Sequence, residues 1–303
     1  MASSIITKDG LNWMIQKIFG GEGAVDVATE DIPNIWIIGD KNTTPISTNS
    51  ELASRVPYTY SVAEACDATA GWAKGGDGED AVLNETSGAF NEGTGCINIP
   101  LSLITGQATW TKTLSGAVNI TTGTKSVYVW FFVEDSANLD TSDCVVLTLA
   151  TGDPTVNSND YYFDRSDILS NEWTTLRIPY GTTPDNVNGT GLNPANWDRI
   201  QITVNSGGSY ETDEMRLDAW VYATEAEHKK DPVAGYPVMS ETYSTITNQV
   251  KYSTSDANGF KIQEIGLIND DDFLLNRGIH TYVRKAADKE YRVLTIMRFE
   301  NKT

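Results

Sequence analysis

The chain has 303 residues, 40% of them hydrophobic and 10% aromatic, with 22 basic against 41 acidic side chains and a formal net charge of −19. That length holds two ordinary domains or one elaborated one, with enough apolar material for a sizeable core. The charge argues against nucleic-acid binding, which rests on basic patches, and against anionic membranes; it suits a protein kept dispersed at high local concentration.

In chain order, the stretch DGLNWMIQKIF (9–19) places Leu11, Met14, Ile15 and Ile18 at helical spacing, and Gly20-Gly21 follows as a stop. One short N-terminal amphipathic helix is therefore expected. The opening MASSIITKDG has no basic start followed by an apolar run, so it does not read as a signal peptide. IPNIWIIGD reads as a strand closed by Gly39-Asp40, and KNTTPISTNSEL as a polar, turn-rich connection. From about residue 60 short apolar segments alternate with Gly, Asn, Asp, Ser and Thr clusters: CINIPLSL, ATWTKTL, SVYVWFFVE, CVVLTLA, TTLRIPY, RIQITV and MRLDAWVYA. Strands of this length and spacing predict an all-β sandwich or barrel. In VYVWFFV (127–133) both alternating faces are apolar, so this strand is either covered on both sides or lines a binding cleft. It is also the longest apolar run, far short of the roughly 20 residues that span a bilayer, so no membrane insertion is expected.

TEAEHKKDPVAGYPVMS (224–240) is charged, contains two prolines and reads as a linker, with His228 solvated. FKIQEIGLINDDDFLLNRGIH then reads as two strands around an acidic turn, Asp270 to Asp272. Gly266 within it marks a close approach or a bulge. Glu264 and Arg277 form either an internal ion pair or a subunit contact. The closing YRVLTIMRF puts Tyr291, Val293, Thr295, Met297 and Phe299 on one face, with mostly polar residues opposite.

Signs of chemistry are sparse. Cys66, Cys96 and Cys144 lack C-x-x-C spacing, which speaks against zinc. Cys66 can pair with Cys96 if their strands are neighbours, but three small buried thiols are the simpler expectation. The two histidines, His228 and His280, fit no metal or catalytic motif, and His280 reads as structural. There is no G-x-S-x-G elbow, P-loop, dinucleotide fingerprint or H-E-x-x-H. A glycosidase needs two placed carboxylates, and among 41 acids some pair always lies nearby. No catalytic residue is assigned and no enzymatic activity is expected. The N-x-S/T triplets at Asn42, Asn84, Asn119, Asn188 and Asn301 are what a Thr- and Asn-rich chain produces by chance.

Two resemblances organise the chain. Residues 62 to 223 carry, in order, CDATAGWAKGG, NEGTGCINI, TKSVYVWFFVEDSANL, NEWTTLRIP, LNPANWDRIQITV and YETDEMRLDAWVY. This order resembles the jelly-roll sandwiches of carbohydrate-binding modules, which implies a jelly roll over 61–225. It also implies a structural calcium between first and last strands, with Asp67 and Asp213 as its carboxylates and backbone carbonyls near Asn91 to Gly93 as further ligands. Sugar binding wants aromatic faces with polar groups beside them. The candidates are Trp110, Trp130, Tyr161, Tyr162, Trp173 and Trp220, while Trp72, Trp173 and Trp197 fall at positions that are structural in such modules.

The chain ends resemble the two halves of one tailed-virus virion module. The opening ITKDGLNWMIQKIFGG and NIWIIGDKNTTPISTNSELASRV supply one half. FKIQEIGLINDDDFLLNRGIH and EYRVLTIMRFE supply the other, with Ile262, Glu264, Ile265, Gly266, Leu267, Leu275, Arg277 and Phe299 fitting its pattern. The resemblance implies a small β-sandwich made by both ends (1–60 and 236–303, capped by the N-terminal helix), a linker at 226–235, and the jelly roll as an insertion. Neither end has enough strands to fold alone.

The expected protein is thus all-β, displayed on the capsid or tail of a tailed-virus particle and bound to other capsid or tail proteins. It would assemble with itself as a trimer, or secondly a pentamer, and adhere to host glycans multivalently. The alternatives are a non-binding capsid decoration, a polysaccharide depolymerase and a cellular carbohydrate-binding module. Lack of a signal peptide and the virion-like ends disfavour the last.

Overall fold

The computed structural model describes residues 3–6, 35–40, 52, 55–87, 89–101, 106–121, 125–211, 214–235, 238–240, 245–268, 274–285 and 288–298. The expected helix at 9–19, Asp213, the Asp270 to Asp272 tip and Phe299 lie outside the described residues. The chain is all-β, with several antiparallel sheets forming a sandwich. Its first strands are β1 (Ser3–Ile6), β2 (Ile35–Gly39), β3 (Arg55–Val56), β4 (Ser61–Glu64), β5 (Trp72–Gly76), β6 (Val82–Asn84) and β7 (Cys96–Asn98). Then come β8 (Gly106–Val118), β9 (Ser126–Val133), β10 (Val145–Ala150), β11 (Asn157–Phe163), β12 (Glu172–Ile178), β13 (Asn186–Gly189), β14 (Trp197–Ser206) and β15 (Met215–Ala223). The last are β16 (Val238–Ser240), β17 (Thr245–Tyr252), β18 (Lys261–Ile268), β19 (Leu274–Arg284) and β20 (Tyr291–Arg298). They fall into two units, Met1–Thr59 with Ala226–Thr303, and Tyr60–Glu225.

In the first unit one sheet has the order β1-β19-β18-β2-β3 and a second the order β16-β17-β20. Strands from both ends of the sequence therefore share hydrogen bonds: β2 pairs β18 from Ile35↔Ile268 to Gly39↔Glu264, and β1 pairs β19. Ile37, Leu52, Ile268 and Leu274 make a core cluster. Gly266 is a close approach: a Cβ there would lie 2.8 Å from Ile37 Cγ1 and 3.0 Å from Leu274 Cδ1. Of the two readings of Glu264 and Arg277, the internal pair holds, since Nε and Nη2 of Arg277 both donate to Glu264 Oε1 in full burial.

The segment read as a linker is part of this unit. Trp36 and Lys230 exchange both backbone hydrogen bonds, at 2.8 and 2.9 Å, and the Val233 N–H donates to the Gln249 carbonyl at 2.8 Å. Lys230 Nζ pairs with Asp256 at 2.8 Å and lies over the Tyr58 ring. His228 is 1% exposed, buried rather than solvated. Charge and prolines mark a break in regular structure, but main-chain pairing to β2 overrides that signal.

In the second unit a sheet of order β13-β11-β10-β14-β8-β5 faces one of order β12-β9-β15-β7-β6, with β4 also on β15. Trp110, Phe131, Leu147, Ile202, Leu217 and Trp220 belong to the core between them. All eight residues of β9 are buried. Its Val127, Val129, Phe131 and Val133 enter that core. The alternate face is covered as well: Tyr60 stands edge-on to Trp130 at 5.9 Å, Trp173 packs on Phe132, and Arg177 and Arg216 lie over Tyr128 and Phe132. This strand is covered on both sides and lines no cleft. The three cysteines are buried free thiols, and Cys66 and Cys96 do not pair.

Candidate functional site

The six-stranded sheet carries a polar layer on its outer face, and the strand registers place each member. Along β10, Val145, Leu147 and Leu149 point to the core, so Val146, Thr148 and Ala150 point away. The same alternation sends Ser158, Asp160 and Tyr162 outward from β11, Arg199, Gln201 and Thr203 from β14, and Thr109, Thr111 and Thr113 from β8. Lateral pairing lines these up in three rows. One runs Tyr162, Val146, Thr203, Thr109, Gly75; the next Asn186, Asp160, Thr148, Gln201, Thr111, Ala73; the third Asn188, Ser158, Ala150, Arg199, Thr113. With about 4.8 Å between strands the face is roughly 24 Å wide from β13 to β5.

Hydrogen bonds hold much of this layer in place. Asp160 accepts from Thr148 Oγ1 at 2.8 Å, Asn186 Nδ2 at 2.9 Å and Asn188 Nδ2 at 3.0 Å. Thr111 Oγ1 donates to Gln201 Oε1 at 2.9 Å, and Gln201 Nε2 to Thr203 Oγ1 at 3.2 Å. Two groups bound the layer with unused capacity. Tyr162 is 38% exposed, with its backbone N–H tied to Asp185 at 2.8 Å. Desolvation, then the carboxylates of Asp160, Asp143 and Asp185, raise its phenol above the ordinary value, so it stays a neutral hydrogen-bond donor. Arg199 is half-buried; its guanidinium makes no hydrogen bond among the described residues, and its charge acts on the Asp153 carboxylate. Thr148, Ser158, Asp160 and Thr203 are buried beneath this layer, so the accessible groups are Tyr162, Arg199, Gln201 and the threonines of β8: a flat ring, a planar cation, an amide and hydroxyls, the kinds of group that bind a polyhydroxylated chain.

The other aromatic candidates sit elsewhere. Trp110, Trp130 and Trp220 are each 0% exposed, and Tyr161, at 8%, belongs to the core cluster. Trp110 alternates with the outward threonines and donates Nε1–H to the Glu79 carbonyl at 2.9 Å. Trp130 lies under Tyr60. Trp220 turns into the core because a bulge between Leu217 and Trp220 shifts the register against β9. None of these three tryptophans offers a ring face to a ligand, and they are corrected here to core residues; Trp173 packs against Phe132.

The carboxylates at the opening turn and last strand have a different role from the one expected of a calcium site. Asp67 Oδ1 accepts from the Thr94 and Gly95 backbone N–H groups, each at 2.8 Å. Sequence reasoning missed Asp218, whose signal was a lone acid inside an apolar strand. Its Oδ2 accepts from Asn91 N at 2.5 Å and Glu92 N at 3.0 Å, and its Oδ1 from Ala219 N at 2.7 Å. Burial pushes the Asp218 carboxyl up to about 7 in spite of these donors. The 91–95 loop thus turns N–H groups, not carbonyls, toward both carboxylates. The described residues hold no cluster of three or more His, Cys, Asp or Glu side chains suited to a metal. Asp213 lies outside the described residues; among the described ones, Asp67 and Asp218 each accept N–H groups of the 91–95 loop, which makes them a hydrogen-bonded loop staple.

No family model and no curated protein matches the chain. Among solved structures, a family 11 carbohydrate-binding module from Clostridium thermocellum, in complex with a mixed-linked tetrasaccharide, matches with a TM-score of 0.38 at 10% identity, covering 55% of this chain and 95% of that one. A carbohydrate-binding module of the β-sandwich superfamily matches at 0.39 and 12%, covering 64% and 85%. The enzymatically active domain of tailspike protein 4 of bacteriophage CBA120 matches at 0.30 and 12%, covering 52% of this chain and 20% of that one. These TM-scores are too low to assign the chain to any of these groups.

Proposed function

We propose that this protein is a non-enzymatic adhesion component on the capsid or tail surface of a tailed-virus particle, with the Tyr60–Glu225 unit binding host glycan chains through the polar outer face of its six-stranded sheet. The wording shared by the chain ends with virion modules supports the location, and the net charge of −19 suits a crowded particle surface. The observation that carries the binding role is the outer layer itself: registered rows of hydroxyl and amide side chains bounded by exposed Tyr162 and half-buried Arg199. An ordinary solvated sheet face does not need its polar groups braced against one another. Such contacts are weak singly and become strong through many copies on one particle.

A glycan array probed with the full chain, followed by titration of the best ligand, tests this. Tyr162→Ala and Arg199→Ala are each expected to weaken binding by about tenfold, the value of one stacked ring or one charge-assisted contact. Absence of binding to every host-derived glycan would replace the adhesion role with that of a plain decoration. Immunolabelling of intact particles tests the location separately.

A further inference from the structure

β20 is the last strand of the order β16-β17-β20, so one of its edges carries no strand among the described residues. It pairs with β17 without a bulge from Tyr291 to Arg298. Proteins normally blunt so long an edge with proline, a bulge or an inward-pointing charge. Residues 291–298 contain no proline or glycine, and Tyr291, Val293 and Thr295, paired with buried Tyr252, Val250 and Asn248, put no charge on that side. The outward row carries Leu294, 56% exposed, and Ile296, 59% exposed. With its flanks that row reads Glu290, Arg292, Leu294, Ile296, Arg298, an acid at one end and a base at the other. Glu290 stands on this surface, ion-paired to Lys251 and Arg292. The row is complementary to its own reverse.

We propose that β20 pairs antiparallel with β20 of a second copy about a two-fold axis at Leu294, joining two three-stranded sheets into one. In this register Leu294 faces its own counterpart, Arg292 faces Ile296, and Glu290 faces Arg298 across the axis. On the other face Val293 meets Thr295. Moving the axis to Thr295 sets Arg292 opposite Arg298, and like charges directly opposed are destabilising. An axis between residues throws apolar positions onto the wrong face. The contact is isologous and closes as a dimer, in place of the trimer or pentamer that the virion-module resemblance implies. It stands independently of the glycan reading.

The full chain carrying Leu294→Cys provides the test, because the three native thiols are buried. Directly opposed residues on antiparallel strands have Cα atoms about 4.5–5.5 Å apart, within disulfide range. Mild oxidation is expected to convert L294C to a covalent dimer, and I296C, which faces Arg292, several-fold less. Sedimentation of the wild type should show a dimer, and Leu294→Lys should weaken it by about tenfold or more with unchanged circular dichroism and a melting temperature that depends less on protein concentration than the wild type's. A wild-type monomer at ~100 μM, a trimer, or I296C cross-linking as readily as L294C would overturn the assignment.

Discussion

The ion pair between Glu264 on β18 and Arg277 on β19 sits where strands from the two chain ends meet. Glu264 lies opposite Gly39 of β2, and Arg277 opposite Ile5 of β1. Arg277→Met removes two N–H donors, Nε and Nη2, from a carboxylate with no solvent exposure. Removing one partner of a buried pair costs about 3–5 kcal/mol, whereas exchanging both for apolar residues of similar volume is about neutral. Arg277→Met and Glu264→Leu should therefore each destabilise strongly, and the double variant should recover most of the loss. The expected coupling is about 3 kcal/mol or more. For a unit of this size about 4 kcal/mol lowers melting by roughly 10 °C or more. Calorimetry and urea unfolding of the full chain, with both single variants and the double, measure the cycle. A single variant within about 1 kcal/mol of wild type, or a double variant as unstable as its parents, would show that the pair does not act as a buried unit.

Other expectations follow from the second unit. Asp218 titrates near 7 when folded against 3.8 as a free side chain. The folded carboxyl holds its proton more tightly, so its contribution is full below 3.8 and is lost as pH rises through about 7. Wild type should lose on the order of 2–3 kcal/mol between pH 5 and pH 8, and Asp218→Asn should remove that part of the slope in urea titrations at the two pH values. Gly93 has φ of 65°, and a Cβ there would overlap the Asp67 carboxylate; Gly93→Ala should cost about 2 kcal/mol or more in the same assay. Trp110→Phe leaves the Glu79 carbonyl without its indole donor, with an expected loss of about 1–3 kcal/mol and unaltered glycan affinity in titration. Because amide groups already compensate Asp67 and Asp218, calcium or a chelator should move the melting temperature by no more than about 1 °C, well below what a bound cation contributes.

Much of the strand content was legible from alternation. MRLDAWVYA, RIQITV and KIQEIGLI declare themselves as strands, and Gly266 as a close approach, because side-chain period and backbone sterics are local properties. Half of the candidate face was legible too: the alternating Thr109, Thr111 and Thr113 stand in plain view in ATWTKTL, and Tyr162 was among the aromatic candidates. The tryptophans misled because a one-letter pattern separates two faces of a strand without saying which meets the core. For Trp220 even the pattern fails, since the bulge beside it changes the parity of the strand. Asp218 was missed because its partners, the N–H groups of Asn91 and Glu92, lie more than a hundred residues away.

By itself, then, the amino-acid order determined an all-β chain and the residues that alternate along each strand, since these depend on backbone geometry and the separation of apolar from polar side chains. Only the tertiary structure decided which strands became neighbours: β14 between β10 and β8, and β18 between β19 and β2. Pairing across long loops is set by the packing of the whole core rather than by any local preference. That pairing assembles the polar rows around Asp160 and Gln201, buries Trp110, and leaves Leu294 and Ile296 outward on an edge strand.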